Sequence, residues 1–482
     1  MLGVAHVLGS LLAFFGAAYL IPVLTSLITL DGQVGIFLIA AAASSGSGFL
    51  ISLATRKHRR ELKPRDGFLL ATLSWVLMSL SASIPLYMGI KGISYTDAYF
   101  ESMSGLTTTG STVLTGLDSL APSLNIWRHT LHWMGGLGII VLAVAILPLL
   151  GVGGMQLYKA ETPGPVKDEK LTPRITETAK SLWVVYTVMT LIGIGALRMA
   201  GMTWFDAICH GMSALSLGGF STHDASLGFY NSPAIEIVLS ILMVAASLNF
   251  ARHFVALRRL TLRPYKNDPE ARAIVGLLAI SVVVITLLLY FEGIYSNFFT
   301  ALRHASFNVI SMATTTGFVT ENFEKWPVFA PIWMLFLTSI TCSTGSTGGG
   351  VKMFRTLLLA RKAGRELKLL VHPSAIWPVR IGGKPVPERI GDSVLAFIFL
   401  YFMTVVTLTF AMLLTGLDFD SSFSAIVASI NNAGPGLAAV GPVHNFQSLS
   451  DLQTWICTAA MLVGRLEIFS VLVLFTPAFW RK

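Results

Sequence analysis

The sequence predicts an all-α polytopic membrane protein, with an N-terminal two-helix hairpin and four repeats that each contain a helix, a re-entrant half-helix and a second helix. Of the 482 residues, 54% are hydrophobic and only 12% are charged, about half the charged fraction of a typical soluble domain. Apolar runs of about twenty residues, long enough to cross a bilayer, recur from Val4 onwards, and the mean hydropathy is +0.69.

The chain begins with two apolar runs, at 4–30 and 34–54, which are separated by Asp31-Gly32. They predict a membrane hairpin that precedes the repeats. The first run has no basic leader and no small-residue cleavage site, and a second apolar run follows at once. We therefore expect the first run to be retained rather than removed as a signal peptide.

The four repeats are recognised by one short turn each. Thr107-Thr108-Thr109-Gly110 and Thr314-Thr315-Thr316-Gly317 are identical, and Ser216-Leu217-Gly218-Gly219 and Asn431-Asn432-Ala433-Gly434 occupy the same setting. The final glycines lie 109, 98 and 117 residues apart. A lone TTTG string would be weak evidence, but four such turns in register indicate internal repeats.

Each repeat is predicted to contain a crossing, a half-helix, its turn and a second crossing. In chain order the crossings and half-helices are 67–90, 97–106 and 127–150; 181–201, 204–215 and 233–258; 271–293, 297–313 and 330–362; and 391–416, 420–431 and 453–478. The domain boundaries are 1–60 for the hairpin and 61–158, 159–265, 266–370 and 371–482 for the repeats. Asp97, Asp206 and Ser421, with His304 at the matching place in repeat three, stand thirteen residues before the closing glycines. The first three are expected to be N-caps, and ion binding by Asp97 and Asp206 is the alternative.

The basic residues predict the orientation of the chain. Of the 34 Lys and Arg residues, 28 fall in 55–66, 159–180, 252–272, 352–389 and 481–482. Under the positive-inside rule these stretches are cytoplasmic, so both termini are expected inside and the half-helices enter from outside. The net charge of +9 is therefore attributed to topology and not to nucleic-acid binding. Cys209, Cys342 and Cys457 have no metal-ligand spacing and are predicted to be buried small side chains.

The half-helices and turns together predict a cation filter. A half-helix that enters from outside directs the negative end of its dipole towards the membrane centre. Glycine then gives the returning chain backbone angles that other residues rarely adopt. Irregular backbone at this depth is tolerated only where it is buried in protein or lines a watery cavity. Rings of backbone carbonyls replace the hydration shell of potassium in known filters, so the turns are expected to face a pore.

The last crossing of the third repeat is interrupted at 341–352, where four glycines fall within six residues, 345–350. Such a run cannot hold a regular helix in lipid, and broken membrane helices often mark functional sites. A small-residue packing surface is the alternative. In the fourth repeat Arg465 lies within an apolar run, where a charge must be paired or hydrated. Pairing with Glu467 is one option, although residues two apart on a helix face different directions.

The strings TTTGST, SLGGFST, TTTGFVT and NNAGPGL at this spacing, preceded by the hairpin, resemble the Trk/Ktr/HKT superfamily of potassium transporters. Within it they resemble the bacterial TrkH/TrkG type of potassium-uptake subunit, over nearly the whole chain. The resemblance implies four M1-P-M2 repeats (helix, pore helix with filter, helix) around one pseudo-fourfold pore, assembled as a homodimer. It implies that potassium (K+) is coordinated by the backbone carbonyls of Thr108, Thr109, Leu217, Gly218, Thr315, Thr316, Asn432 and Ala433. The filter glycines that it implies are Gly110, Gly219, Gly317 and Gly434.

The resemblance also implies an intramembrane gate at the loop 341–352. The gate residues are Gly345, Gly348, Gly349, Gly350, Lys352 and Arg465. Arg465 matches a family arginine that contacts the loop, so we expect it to donate hydrogen bonds to 343–350 and to hold the pore shut. The implied partner is a cytosolic TrkA-type ring of RCK domains that binds NAD or ATP, with 159–180 and 352–389 as docking surfaces.

These expectations add up to potassium uptake across the bacterial inner membrane, with no enzymatic activity and no cofactor in this chain. Gly110 stands where a serine accompanies sodium permeation in the plant branch of the superfamily, which favours potassium. A less selective or ion-coupled K+/Na+ transporter is the nearest alternative. A membrane enzyme with a catalytic cluster of Asp97, Asp206, His210 and His304 is the alternative from another class.

Overall fold

A computed structural model describes residues 2–58, 62–138 and 175–481. Within these ranges the ordered elements are helices, apart from one antiparallel hairpin in which Arg380–Ile381 pairs with Lys384–Pro385. The all-α prediction is therefore confirmed. Part of the crossing predicted at 127–150 and most of the basic stretch 159–180 lie outside the described residues.

The predicted N-terminal hairpin is present. It consists of Leu2–Phe15, a 3-10 turn at Gly16–Tyr19, Leu20–Thr29 and Val34–Ala54. Its arms are in backbone contact, since a Cβ added at Gly48 would lie 2.3 Å from the backbone nitrogen of Ala13. The tip of the hairpin is joined to the first repeat, because Asp31 accepts a hydrogen bond from the backbone N–H of Ser123 at 2.9 Å.

The described part of each repeat has the predicted order of helices. Repeat one contains Pro64–Gly89, Tyr95–Leu106 and Pro122–Gly136, and repeat two contains Ile175–Met199, Trp204–Ser216, Pro233–Ser247 and Phe250–Arg259. After the short helix Arg263–Lys266, repeat three contains Pro269–Phe291, Phe298–Ala313, Phe329–Ile340 and Met353–Val371. Repeat four contains Glu388–Leu414, Phe419–Asn431, Asp451–Arg465, Phe469–Leu472 and Pro477–Trp480. The half-helices begin and end within two residues of their predicted bounds.

Six of the described helices are long and apolar enough to cross a membrane. They are Leu2–Thr29, Val34–Ala54, Arg65–Gly89, Ala179–Met199, Pro269–Phe291 and Glu388–Leu414. Two broken pairs pass the same test, bent by 104° between Pro233–Ser247 and Phe250–Arg259 and by 107° between Asp451–Arg465 and Phe469–Phe475.

The crossings predicted at 233–258 and 453–478 are thus each broken into two helices by a bend that the sequence did not predict. At the first bend Asn249 leaves the helical region and caps a new helix, with its side chain accepting from the backbone N–H of Ala251. At the second bend Glu467 has a φ of 51°, which a right-handed helix cannot contain.

The half-helices are capped earlier than the sequence predicted. The observed N-caps are Ser94, Thr203, Asn297 and Asp418. Asp97, Asp206 and Ser421 lie three residues after their caps, so their prediction as caps is wrong, and His304 lies well inside its helix. The carboxylates of Asp97 and Asp206 accept hydrogen bonds from the capping hydroxyls at 2.8 and 2.7 Å. Each Ser/Thr-x-x-Asp string is thus a capping arrangement, which accounts for both carboxylates without a bound ion.

The half-helices are buried on all sides near their C-terminal ends. In repeats one and four the following helix packs directly on that end. A Cβ added at Gly135 would lie 1.8 Å from the carbonyl oxygen of Leu106, and one at Gly464 would lie 2.0 Å from that of Ile430. Since the two pairs occupy the same place in their repeats, the backbone packing follows the repeat symmetry. The three cysteines are buried and free, as predicted.

Candidate functional site

The four half-helices end in one shared backbone motif. The third residue of each turn donates its N–H to the carbonyl five residues earlier at 2.9 Å, in the pairs Thr109 and Ser104, Gly218 and Ser213, Thr316 and Ser311, and Ala433 and Ala428. The second residues, Thr108, Leu217, Thr315 and Asn432, have φ between 53° and 60°, and the closing glycines have φ between 80° and 84°. This is a Schellman-type ending, which reverses the chain after a helix. The turns therefore have the same backbone, although their sequences differ.

The four turns meet one another in a closed ring. A Cβ added at Gly110 would lie 2.0 Å from the carbonyl oxygen of Gly218, and one added at Gly219 would lie 1.9 Å from that of Thr316. A Cβ added at Gly317 would lie 2.6 Å from the carbonyl oxygen of Ala433, and one added at Gly434 would lie 3.3 Å from that of Thr109. Each glycine thus contacts the turn of the following repeat, and the fourth returns to the first. This order is the one that a pseudo-fourfold arrangement requires. Three of the contacts leave no room for a side chain, whereas the fourth is wider.

The ring brings carbonyl oxygens together with the C-terminal ends of four helices. Both carry partial negative charge. Backbone oxygens in a ring can replace the hydration shell of a monovalent cation. All twelve residues predicted for the filter lie in these turns, which contribute the carbonyl oxygens of Thr109, Gly218, Thr316 and Ala433 to the ring contacts.

The departures of turns two and four from the TTTG sequence have structural reasons. At Gly218 a Cβ would lie 2.3 Å from Nδ1 of His132, so the imidazole occupies the space of a threonine side chain. Asn432 in turn four reaches across to turn one, where its Nδ2 donates to the hydroxyl of Thr109 at 2.9 Å. The same amide donates to the carbonyl of Met461 at 3.1 Å. Turn four is therefore joined to turn one by a side chain rather than by a close glycine contact.

A buried ion pair behind turns one and two was missed in the sequence analysis. The side chains of Glu101 and Arg128 are fully buried, and Nε of the arginine lies 2.7 Å from Oε1 of the glutamate. Glu101 also accepts the backbone N–H of Val113 and the hydroxyl of Thr112, at 3.1 and 3.0 Å. Nη1 of Arg128 donates to the carbonyl of Ser221 at 3.3 Å. The pair thus joins the segment after turn one to the segment after turn two.

The sequence contained one signal for this pair, namely two opposite charges in segments predicted to lie within the membrane. Glu101 lies in the first half-helix and Arg128 in the next apolar helix. Either charge alone would be costly in the membrane, so each requires a partner. The sequence spacing between them gave no indication that they pair.

The loops after turns one and two are joined by acidic side chains. Asp118 accepts a hydrogen bond from His223, and Asp224 accepts the backbone N–H groups of Gly116 and Leu117 at 2.9 and 3.1 Å. The hydrogen bond from His223 lowers the pKa of Asp118. An acid with a lowered pKa in the folded state stabilises the fold above its ordinary pKa. That stabilisation is lost as the pH falls through the lowered value, so the contact is in place at neutral pH.

The loop 341–352 lies against the C-terminal ends of three half-helices. The hydroxyl of Thr347 donates to the carbonyl of Leu215 at 3.1 Å, and the N–H of Gly349 donates to the hydroxyl of Thr315 at 3.1 Å. A Cβ added at Gly349 would lie 2.0 Å from the carbonyl oxygen of Asn431. The loop therefore touches repeats two, three and four at their turns.

Two basic side chains, one at the end of the loop and one beside it, donate hydrogen bonds to carbonyls of the loop. Nη1 of Arg465 donates to the carbonyl of Thr347 at 2.8 Å, so the hydrogen bond predicted between Arg465 and 343–350 is present. Nη2 of Arg465 donates to the carbonyls of Gly135 and Gly136 in repeat one. The buried Nζ of Lys352 donates to the carbonyl of Gly348 at 2.7 Å. Through Arg465 the loop is connected to the one repeat that the three contacts above do not reach.

Acidic and amide side chains hold the other side of the loop. Oε2 of Glu270 accepts the N–H of Thr344 at 2.8 Å, and Nδ2 of Asn249 donates to the Thr344 carbonyl at 2.8 Å. Glu467, considered above as a partner for Arg465, forms an ion pair with Arg355, the first basic residue after Lys352. Sequence analysis named none of these contacts. A cavity of ≈ 130 Å³ borders the loop and is lined in part by Trp75, Leu182, Phe250 and Leu466.

Residues 35–482 match the model of the TrkH family, described as a cation transport protein. The chain belongs to the TrkH family. The Trk system potassium uptake protein TrkH of Salmonella typhimurium is 45% identical over 480 residues, which cover 99% of both chains. The Trk system potassium uptake protein TrkG of Escherichia coli is 37% identical over 483 residues, 99% of this chain and 98% of its own length. The crystal structure of the potassium transporter TrkH from Vibrio parahaemolyticus has a TM-score of 0.90 at 41% identity and covers 100% of this chain and 99% of its own.

The predicted family and membrane fold are thus confirmed, and this TrkH-family chain is a membrane transporter and not an enzyme. Of the four residues considered for a catalytic cluster, two contact each other and the other two have separate partners. Asp206 and His210 contact each other, with the histidine Nδ1 at 2.8 Å from the aspartate carbonyl oxygen. Asp97 is bound to Ser94, and His304 lies 3.9 Å from Glu321. Asp206 and His210 therefore pack together in the half-helix of repeat two, whereas Asp97 and His304 lie in the half-helices of repeats one and three.

Proposed function

We propose that this chain takes up potassium across the bacterial inner membrane, through a pore in which the ring of four turns is the selectivity filter. The observation that carries the proposal is that each closing glycine contacts the carbonyl of the next turn around a closed ring. A donor set of backbone oxygens at four helix ends suits a dehydrated monovalent cation. The names of the curated relatives, which are potassium uptake proteins, agree with this choice of ion.

The proposed ion sites are the carbonyls of Thr108, Thr109, Leu217, Gly218, Thr315, Thr316, Asn432 and Ala433. The proposed gate is the loop 341–352 with Gly345, Gly348, Gly349, Gly350 and Lys352. The contacts of the loop with Leu215, Thr315 and Asn431 support this assignment, because an ion that leaves the ring at the helix ends would meet the loop. Arg465 would hold it there through the carbonyl of Thr347.

The assembly and orientation belong to the same proposal. Both termini would lie in the cytoplasm, because the basic stretches cluster on the loops that this orientation puts inside. A homodimer would bind a cytosolic TrkA-type ring of RCK domains, and NAD or ATP on that ring would open the loop. The exposed basic residues of the described stretch 352–389 suit such a partner.

The test is uptake of radioactive rubidium into liposomes that contain the purified chain, driven by potassium, sodium or lithium loaded inside. The wild type is compared with Gly110→Ser, in which the new Cβ would lie 2.0 Å from the carbonyl oxygen of Gly218. Gly416→Ser is the matched control, because Gly416 has a similar φ of 88° but no atom near an added Cβ. The control separates backbone strain in general from damage to the ring.

The filter proposal predicts uptake driven by potassium and not by sodium, with this preference reduced in Gly110→Ser and kept in Gly416→Ser. Equal loss in both variants would contradict it. The alternative, a less selective potassium and sodium pathway, is favoured by the wider fourth contact, where a Cβ added at Gly434 would lie 3.3 Å from the carbonyl oxygen of Thr109. Rubidium uptake driven equally by internal sodium would support that alternative. A closed gate is distinguished from a wrong pore by repeating the assay with residues 343–350 shortened.

A further inference from the structure

The helix Phe250–Arg259 leaves the second crossing of repeat two at an angle of 104°. The two helices pass the test for a membrane span only as a bent pair, and the second helix belongs to the basic stretch 252–272 that the positive-inside rule assigns to the cytoplasmic side. Its exposed residues include Leu257, Arg258 and Arg259, and Leu260 directly after it is 91% exposed. A basic and apolar helix in this position is typical of segments that lie in the headgroup region of a bilayer.

An apolar cavity lies on one side of this helix. It measures ≈ 550 Å³ and is lined by Ile241, Val244, Leu248, Leu257 and Ile310, among others. Ile241 and Leu257 are 63% and 50% exposed, so the cavity opens to the surface that the crossing presents to lipid. Its aliphatic lining suits an acyl chain.

A cationic cavity also borders this helix. It measures ≈ 580 Å³, and its lining contains Arg252, Arg259 and Arg263 together with Thr261 and Asn267. Arg252 also forms an ion pair with Asp268 at 3.5 Å, which offsets one of the three charges. Arg259 and Arg263 are exposed, and guanidinium groups bind phosphate oxygens in a two-pronged geometry. This cavity suits a phosphate group.

A phosphate with an acyl chain beside it is the chemistry of an anionic phospholipid. A free phosphate or nucleotide would use the arginines but would make no use of the apolar cavity. An acidic protein partner has no need of a cavity that opens to the lipid-facing side of a membrane crossing. The pairing of the two cavities on one interfacial helix therefore selects the lipid.

The same helix is bonded to the loop 341–352 at its first turn. The N–H of Phe250 donates to the carbonyl of Gly345 at 3.0 Å, and the N–H of Ser343 donates to the carbonyl of Ser247 at 2.9 Å. With the bond from Asn249 to Thr344, three hydrogen bonds join the bend to the loop. A displacement of the helix would therefore move the loop.

We infer that Arg259 and Arg263 bind the headgroup of an anionic phospholipid, and that the bound lipid holds the helix Phe250–Arg259 in the position that fixes the loop. The lipid site itself does not depend on the proposed function. Its effect on ion flow does depend on the loop being the gate.

Lipid binding is measured first, by native mass spectrometry of the detergent-purified full chain titrated with phosphatidylglycerol or with phosphatidylcholine. Arg259→Gln/Arg263→Gln is compared with Arg56→Gln/Lys57→Gln, which removes the same charge from exposed residues at the end of the N-terminal hairpin. We expect phosphatidylglycerol to bind about tenfold more weakly to the first variant and unchanged to the second. Equal binding by the two variants, or equal binding of the two lipids by the wild type, would overturn the inference.

A second arm adds inorganic phosphate, or glycerol phosphate, during the titration. Displacement of phosphatidylglycerol by either compound at equal concentration would mean that the arginines form a site for a soluble anion, and it would overturn the assignment to lipid. Persistence of the lipid is the expected result.

The coupling is measured by rubidium uptake in vesicles of rising phosphatidylglycerol content. We expect uptake by the wild type and by Arg56→Gln/Lys57→Gln to depend on that content, and uptake by Arg259→Gln/Arg263→Gln to be independent of it. Dependence that survives in the last variant would refute the coupling. Specific lipid binding without any uptake, even with residues 343–350 shortened, would instead count against the proposed pore, because binding does not require ion flow.

Discussion

The four turns and the loop 341–352 are neighbours in space but are built in different ways. Each turn is closed by a hydrogen bond between residues five apart and by a left-handed glycine, and it keeps this geometry with three different sequences. The loop has no repeated internal pattern. Its shape depends on side chains of distant residues, among them Asn249, Glu270 and Arg465.

The geometry of the turns is therefore set by the backbone, whereas the geometry of the loop 341–352 is set by side chains. The turns should be sensitive to any atom added at a closing glycine and tolerant of many other changes. The loop should respond to the removal of single polar side chains far away in sequence. Turn one is an intermediate case, because the buried pair Glu101–Arg128 supports it from outside.

The largest effect is expected at the buried pair Glu101–Arg128, which supports turn one. Glu101→Gln leaves the fully buried Arg128 without its charge partner, and breaking a buried ion pair in this way destabilises a protein by about 3–5 kcal/mol. We expect a clear loss of thermal stability in detergent and weaker preference for potassium over sodium. The double variant Glu101→Gln/Arg128→Met should recover part of the stability. A Glu101→Gln protein as stable as the wild type would show that turn one needs no such support.

The second prediction compares two closing glycines of the ring. Gly219→Ala puts a Cβ 1.9 Å from the carbonyl oxygen of Thr316, whereas Gly434→Ala leaves 3.3 Å to that of Thr109. Both variants carry the strain of a left-handed alanine, about 1–3 kcal/mol, and only the first adds a clash. Potassium-driven rubidium uptake should fall by about tenfold more in Gly219→Ala than in Gly434→Ala, in line with this added strain. Equal loss at both positions would mean that the ring is not closed as described.

The third prediction concerns the loop. Arg465→Gln removes charged hydrogen bonds to the carbonyls of Thr347, Gly135 and Gly136, each worth about 1.5–3 kcal/mol. Uptake by the chain alone should rise by about tenfold, because the loop is released. Arg198→Gln is the control, since Arg198 also donates to a backbone carbonyl, that of Met202, but away from the loop. Unchanged flux in Arg465→Gln would rule out its role as a gate residue.

The smallest effect is expected at Asn249. Asn249→Ala removes one hydrogen bond to Thr344 together with an N-cap, and losing a cap costs about 0.5–2 kcal/mol. Asn297→Ala removes an N-cap of the same kind from the third half-helix, without a bond to the loop. Both should lower the melting temperature slightly, but only Asn249→Ala should raise uptake, by about twofold. An equal rise in both would attribute the effect to capping and not to the loop.

Much of the fold could be read from the sequence, because its signals are local. Apolar runs of bilayer length marked the hairpin and the long helices, and the half-helices lay within two residues of their predicted bounds. The caps were placed three residues too late, since Asp97 and Asp206 are themselves good cap residues and the Ser and Thr before them were not considered. Arg465 was placed at the loop by a resemblance, and the contact with Thr347 is present.

The contacts that position the site could not be read in the same way. Nothing in the spacing of Glu101 and Arg128 indicates that they form an ion pair. Nothing in the string SLGG shows that His132 occupies the space that a side chain at Gly218 would need. The bends after Ser247 and Arg465 were also missed. A helix in an apolar run bends where its freed backbone groups find other partners, and at Ser247 that partner is the loop, almost a hundred residues later.

By itself, the sequence determined the membrane class, the hairpin, the four repeats and the glycine-ended turns. Each of these follows from hydropathy or from hydrogen bonds within about six residues, so the information lies in one short stretch. The tertiary structure alone decided that the turns close into a ring, that the ring is tight at three contacts and wide at Gly434, and that the loop is bonded to other repeats. These features depend on how helices from separate repeats pack, and packing brings together residues whose distance along the chain carries no signal of their contact.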